Sequence, residues 1–165
     1  QRVAMAGAGG VGKAIAFALA ELGTTSIAVF DRDRAKAGRL VSLFSAAAPG
    51  TSIQAAGSIE EAMDGADGLV NCTPLGMTGH PGSAMPAALM GAKGWAFDAV
   101  YTPLDTEFLQ AAKGAGLAIL SGYELFFHQG IDAFRLFTGV EPESRALRQA
   151  LLEEAQQGTV SAISH

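Results

Sequence analysis

An α/β fold, with a doubly wound and mainly parallel sheet of six strands and an added C-terminal helix pair, is what this sequence predicts. Three observations carry that expectation. Short apolar runs recur at intervals of roughly 25 residues with helical patterns between them, the spacing of strand–helix–strand units. The first run, Val3-Ala4-Met5-Ala6, ends in the glycine-rich stretch Gly7-Ala8-Gly9-Gly10-Val11-Gly12. An acidic residue, Asp31, closes the next apolar run.

Each element has its own justification. Val3 to Ala6 is a continuous apolar run bounded by glycine, the pattern of a buried parallel strand. From Gly10 to Leu22, apolar residues recur at helical spacing and stop at Gly23. Ile27 to Phe30 repeats the strand pattern, and Arg34 to Ala48 reads as a helix ending near Pro49-Gly50. Ser52 to Ala56 is a third strand. Ser58-Ile59-Glu60-Glu61 has the spacing of a capping box that opens a short helix. Gly68 to Asn71 is a fourth strand. Residues 72–94 are rich in Gly, Pro and Met and read as a long loop with one helical turn. Trp95 to Asp98 and Leu117 to Leu120 are strands five and six, with a helix at Thr106 to Ala115 between them. Tyr123 to Phe137 is a helix closed by Thr138-Gly139. Pro142 stands near the first turn of a last helix that runs to about Gln157. The predicted domain therefore spans 1–157, and 158–165 reads as a flexible tail.

A G-x-G-x-x-G pattern means little alone. It gains meaning with a strand before it, a helix after it, and an acid about 20 residues on. Here Gly7, Gly9 and Gly12 meet all three conditions, which predicts a Rossmann fold that holds a dinucleotide. Gly7 would make the tight turn, Gly9 would admit the pyrophosphate, and Gly12 would let helix and sheet pack closely. The helix N-terminus would point free amides at the phosphates. Gly7 to Lys13 also matches G-x-x-x-x-G-K, but Ala14 stands where a phosphate-binding loop needs Ser or Thr for magnesium. Lys13 then reads as an exposed helix residue. Asp31 is placed to accept from the adenosine ribose hydroxyls and to repel a 2′-phosphate, which favours NAD. Arg32 follows directly and could instead meet a 2′-phosphate or stack on adenine, so NADP stays as the alternative.

Composition narrows the function classes. The chain of 165 residues is 49% hydrophobic and 16% charged, so it can bury a sizeable core. A net charge of -5 argues against nucleic acid as a partner. No uninterrupted apolar stretch of about 18 residues suggests a membrane span. The chain opens on Gln1-Arg2 and enters a strand at once, with no signal peptide, and a cytoplasmic location is expected. One cysteine, Cys72, rules out an internal disulfide and a cysteine-cluster metal site; it reads as a small buried filler. No metal site is expected.

The second half carries a resemblance. Asn71-Cys72-Thr73-Pro74-Leu75-Gly76-Met77 resembles the N-[AS]-T-P-x-G-M motif of the shikimate dehydrogenase family. Asp98-Ala99-Val100-Tyr101-Thr102-Pro103 with Thr106 is similar to its D-x-x-Y-x-P-x-x-T segment. Gly122 and Gln129 resemble its G-x-x-M-L-x-x-Q helix start, and Ala133-Phe134 with Phe137-Thr138-Gly139 the A-F-x-x-[WF]-T-G that follows. Asp31-Arg32-Asp33, His80-Pro81-Gly82 and the run Asp132 to Gly139 look like the quinate/shikimate dehydrogenase branch, which uses NAD. Leu125, Phe126 and Cys72 depart from the usual Met, Leu and Ala or Ser.

The resemblance implies a C-terminal NAD(P)-binding domain. Gly7, Ala8, Gly9, Gly10 and Val11 would hold the pyrophosphate, and Asp31 and Arg32 the adenosine ribose. Asn71, Cys72, Thr73, Pro74 and Leu75 would lie along the cofactor, with Ala99, Gly122 and Leu125 by the nicotinamide. Tyr101 and Gln129 would reach the substrate, a cyclohexane or cyclohexene carboxylate. In the family, an N-terminal substrate domain carries the catalytic Lys and Asp. No position here matches those motifs, so no catalytic residue is assigned, and the fragment alone is expected to be inactive. His80 and His128 read as surface residues, and an apolar wall around Leu125, Phe126 and Phe127 is expected to be exposed. The parent enzyme would be a monomer or homodimer. Two other readings stay open: a stand-alone nucleotide-binding or sensing module, and another Rossmann oxidoreductase or a methyltransferase.

Overall fold

The computed structural model describes residues 1–48 and 50–151. The predicted end of the last helix near Gln157, the tail 158–165 and Pro49 lie outside the described residues. In chain order the elements are β1 (Arg2–Ala6), α1 (Gly10–Glu21), β2 (Ser26–Phe30), α2 (Arg34–Ala47), β3 (Ser52–Ala55), α3 (Ile59–Met63) and β4 (Gly68–Asn71). A single 3-10 turn, Ala87–Leu89, interrupts the long loop before β5 (Trp95–Asp98), α4 (Glu107–Gly114), β6 (Ala118–Leu120) and α5 (Gly122–Thr138). A helix α6 occupies 144–151.

The six strands form one sheet in the order β3-β2-β1-β4-β5-β6, and every pairing is parallel. This is the doubly wound order, in which the chain leaves β1 in one direction and returns to β4 in the other. The two halves part between β1 and β4, and a crevice opens there beyond the strands' carboxyl ends.

Both faces of the sheet are packed. On one, Val3, Met5, Ile27 and Val29 meet Ala16 and Leu19 of α1 and Leu40 and Phe44 of α2. On the other, Ala4, Ala28, Leu69 and Ala96 meet Met63 of α3, Met85 and Met90 of the long loop, and Phe108 and Leu109 of α4. Burying each large apolar side chain stabilises the fold by about 1.5–3 kcal/mol. Small residues on the second face let α3 and α4 lie close. On the first face Gly68 makes room for a neighbouring ring, since a Cβ there would stand 2.2 Å from Trp95.

Local signals explain the ends of the helices. Asp33 accepts from Ala35 N and Lys36 N and so caps α2. Thr106 caps α4 through Leu109 N. The capping box differs in one arm from expectation. Ser58 Oγ does accept from Glu61 N, but the Glu61 carboxylate takes the Gly57 amide rather than that of Ser58. The last helix starts at 144, two residues after Pro142, where Glu143 accepts from Ala146 N and caps it.

α5 and α6 form a pair with its own small core. Tyr123, Phe127 and Ile131 pack with Leu104, Leu147 and Leu151. Arg148 spans the pair, bonding both Glu124 carboxylate oxygens and lying 4.1 Å from the centroid of the Phe127 ring. Phe127 is therefore buried, not part of an exposed wall as expected; α5 turns it toward α6 and leaves Phe126 facing the crevice.

Candidate functional site

The glycine loop sits at the crevice, and its shape follows from contacts that only glycine allows. Gly7 has φ +96°, and a Cβ on it would lie 2.7 Å from the Cys72 carbonyl oxygen. Its amide donates to Phe30 O at 2.8 Å. A Cβ on Gly12 would stand 2.2 Å from Gly7 O, so the first turn of α1 rests directly on the loop. Gly9 and Gly10 are different: a Cβ on either would meet nothing within 4 Å. Their outer side is open space, and no side chain caps α1 at Gly9. The first-turn amides thus face the crevice without a side-chain partner, which is the arrangement that suits an anion. Lys13 is exposed on α1, as its reading as a solvated helix residue requires.

Asp31 stands beside this loop at the end of β2. Its Oδ2 accepts from the Ala8 amide at 2.8 Å, and its Oδ1 accepts from the Asp33 amide at 2.8 Å. A carboxylate offers about four lone-pair sites, so these two bonds leave acceptor capacity for ribose hydroxyls. Arg32, Arg34 and Lys36 are all exposed around it.

Two adjoining clefts continue from the loop. One, of about 450 Å³, is lined by Gly10, Val11, Ala14, Ile15, Ala18, Ala99, Tyr101, Gly122, Leu125, Phe126 and Gln129. The other, of about 360 Å³, lies between Val11, Cys72, Thr73, Pro74 and Met77 on one side and Ala99 to Thr102 on the other. Val11, Ala99 and Tyr101 belong to both. The Tyr101 ring stacks on Phe126 at 4.8 Å between centroids, with the planes 10° apart. Gly122 permits the junction, because a Cβ there would meet Ala99 O at 2.5 Å and Val100 O at 2.6 Å. A larger groove of about 690 Å³ runs past Leu19, Leu22, Trp95 and Leu120. Its walls are mainly apolar and it lies away from the amides and Asp31, so the site is placed at the crevice.

The structure thus brings together Gly7 to Val11 and Asp31, and beyond them Cys72, Thr73, Pro74, Ala99, Tyr101, Gly122, Leu125 and Gln129. Asn71 and Leu75 stand apart. Asn71 is fully buried behind the wall, and Leu75 is half-buried. Cys72 is half-buried, and burial together with the Asp98 charge pushes its thiol up to about 12. Such a thiol carries almost no thiolate at neutral pH, in keeping with a filler role. His80 and His128 are exposed, the latter with Nε2 3.9 Å from Glu124.

Sequence reasoning missed the buried pair behind the clefts, Asp98 and Thr106, as well as the wall residues Ala14, Ile15 and Ala18. The Asp98 to Thr106 spacing was visible; the hydrogen bond between them was not. Among the described residues no group of three or more His, Cys, Asp or Glu could hold a metal ion, and no helix is long and apolar enough to cross a membrane.

Comparison with known proteins shows what the chain is similar to. The family model described as the shikimate 5'-dehydrogenase C-terminal domain matches residues 122–152. A quinate/shikimate dehydrogenase (NAD(+)) of Corynebacterium glutamicum (strain R) is 40% identical over 91% of this chain and 54% of its own length. A shikimate dehydrogenase (NADP(+)) of Arthrobacter sp. (strain FB24) is 38% identical over 92% of this chain and 53% of its own. Among solved structures, quinate dehydrogenase from Corynebacterium glutamicum in complex with NAD superimposes with a TM-score of 0.85 at 39% identity, over 93% of this chain and 55% of that one. The chain spans about half the length of these relatives. The chain is thus similar to shikimate and quinate dehydrogenases over about half their length, and its residues 122–152 to the family's C-terminal domain.

Proposed function

We propose that this chain is the cofactor-binding domain of an NAD-dependent shikimate/quinate dehydrogenase. The observation that carries the reading is one place in the fold. An uncapped helix N-terminus, an open glycine loop and a carboxylate bonded to that loop all meet at the crevice between β1 and β4. The relatives described above include one named for NAD and one named for NADP.

The residues present fit the cofactor. The open sides of Gly9 and Gly10 leave room where a pyrophosphate would approach the α1 amides. Asp31 would accept from the adenosine ribose, and its charge opposes a 2′-phosphate, which favours NAD over NADP. Arg32 would flank the same ribose. Cys72 to Pro74 and Ala99 would form the walls beside the nicotinamide end, with Leu125 giving it an apolar surface.

When bound, the nicotinamide supplies the hydride chemistry that interconverts a ring ketone and alcohol, as 3-dehydroshikimate with shikimate or 3-dehydroquinate with quinate. The chain's residues bind, orient and dry that site. Tyr101 and Gln129 are neutral hydrogen-bonding groups that would meet the substrate's hydroxyl or carboxylate. No residue of this chain is assigned to proton transfer, and that step falls to a substrate domain of the parent protein. A cytoplasmic location fits such an enzyme.

Calorimetric titration of the purified chain tests the reading. NADH should bind, and more tightly than NADPH. Binding of neither would overturn the cofactor-domain reading; the reverse ranking would overturn the NAD assignment alone.

A further inference from the structure

Asp98 is fully buried and lines neither cleft, but it bonds one wall of the smaller cleft directly at Val100 and reaches the other through Asn71. It ends β5 directly opposite Asn71, which ends β4 in the parallel register. Its Oδ1 accepts from Asn71 Nδ2 at 2.9 Å and from the Val100 amide at 3.0 Å. Its Oδ2 accepts from Thr106 Oγ1 at 2.6 Å. All three partners donate, as an ionised carboxylate requires.

Each partner leads to a different part of the site. Asn71 passes the constraint to the first wall. Its Oδ1 accepts from Thr73 N at 2.9 Å and Thr73 Oγ1 at 2.7 Å, and its Nδ2 also donates to Leu75 O at 3.1 Å. Thr73 Oγ1 then accepts from Leu75 N at 3.2 Å. Val100 belongs to the second wall, between Ala99 and Tyr101. Thr106 couples the carboxylate to α4, since the same hydroxyl accepts from Leu109 N. The 360 Å³ cleft is bounded by these same two segments.

We infer that Asp98 is a positioning residue that sets the gap between the two walls of the nicotinamide cleft, acting through Asn71 on one wall and through the Val100 amide on the other. The inference rests on the cofactor reading for its purpose, but the geometry stands without it. A carboxylate suits the task because one rigid group can accept at once from the Val100 amide of one wall and from Asn71, which holds the other. Burial holds the group in place and pushes its pKa up, while the three donors hold it down in part. No water is needed to complete the network, and none of its buried polar atoms lacks a partner.

The test compares Asp98→Asn, Thr106→Val and a control, Ile53→Val, in the full chain. Asp98→Asn keeps the shape and turns an amide N–H₂ toward Thr106, so it breaks the donor pattern with little change in volume. Backbone amide resonances and NADH affinity are read well below every unfolding midpoint. Asp98→Asn should shift the amides of Thr73 and Leu75 together with those of Val100 and Tyr101, and leave Gly9 and Gly10 in place. NADH affinity should fall about tenfold, the equivalent of one charge-assisted hydrogen bond. Thr106→Val should give a smaller loss in the same direction and serves if Asp98→Asn does not fold. The control should lose stability only. Shifts confined to one wall, or affinity within twofold of wild type in both variants, would overturn the inference. If wild-type chain binds no NADH, the cofactor reading fails, while the shift map still decides whether Asp98 couples the walls.

Discussion

The Ala8 amide donates to Asp31 Oδ2 at 2.8 Å, which ties the glycine loop to the end of the neighbouring strand. The acid proposed to discriminate between cofactors is thus also bonded to the loop that would hold the pyrophosphate. Asp31 Oδ1 is fixed in turn by the Asp33 amide, and Asp33 caps α2. The chain from β2 into α2 and the chain from β1 into α1 are locked together by one carboxylate.

Replacing Asp31 should therefore have two separable effects. Asp31→Asn removes the charge and keeps one oxygen acceptor, which can serve the Ala8 or the Asp33 amide but not both, so it should narrow the preference for NADH over NADPH and cost less stability than losing both bonds. Asp31→Ala should narrow the preference equally and also orphan the Ala8 amide, at a cost of about 1–2 kcal/mol. Calorimetric titration with both cofactors, paired with denaturant unfolding, checks this. Stability of Asp31→Ala equal to that of the wild type would mean that the Ala8 bond contributes nothing.

Two glycines on α5 should respond to alanine with opposite signs. At Gly122 the new methyl would press on backbone atoms of Ala99 and Val100 closer than 2.7 Å, so α5 or the loop after β5 must move. Overpacking of this kind costs about 1–3 kcal/mol, and the shift would carry the cleft wall with it. At Gly130 a Cβ would meet nothing within 4 Å. There the helix gains from the lost backbone freedom of glycine, by about 0.5–1 kcal/mol. Urea unfolding of both variants settles the pair, and destabilisation by Gly130→Ala would contradict the open environment described for it.

How legible all this was depends on the range of the interactions. The central strands β1, β2, β4 and β5 were readable because parallel strands buried on both faces are short apolar runs. The glycine loop was readable because its parts are consecutive. Asp98 and Asn71 are separated by β5 and the long loop, and only strand register makes them neighbours. The side chain of Phe127 shows the same limit. Helical spacing set it on α5 beside Phe126, but which of the two would face the crevice was decided by α6, whose Leu147 and Arg148 cover Phe127. The glycine pattern likewise pointed to helix–sheet packing at Gly12, whereas the closest approach is to Gly7 O within the loop itself.

The α5–α6 pair should show a pH signature of its own. Arg148 bonds Glu124 in a bidentate pair, at 2.5 and 2.9 Å, and Tyr123 Oη donates to Arg148 O at 3.0 Å. The Arg148 hydrogen bonds hold the Glu124 carboxyl below the usual carboxylate range. A carboxyl lowered in the folded state stabilises the fold above its unfolded value, near pH 4, and that contribution is lost as pH falls through the folded value. Both side chains are about one-third exposed, at 35% and 36%, so water and salt screen the pair and its effect is small. Glu124→Gln should lower the unfolding midpoint slightly at pH 7 and low salt, and the difference from wild type should close at pH 3 or in molar salt. Because α5 presents Leu125, Phe126 and Gln129 to the cleft, loosening its far side should also weaken the Tyr101–Phe126 stack. Thermal unfolding at pH 3 and 7, with the near-ultraviolet dichroism of the aromatic rings, reads both effects. A midpoint difference that persists at pH 3 would show that Glu124 acts by packing rather than by charge.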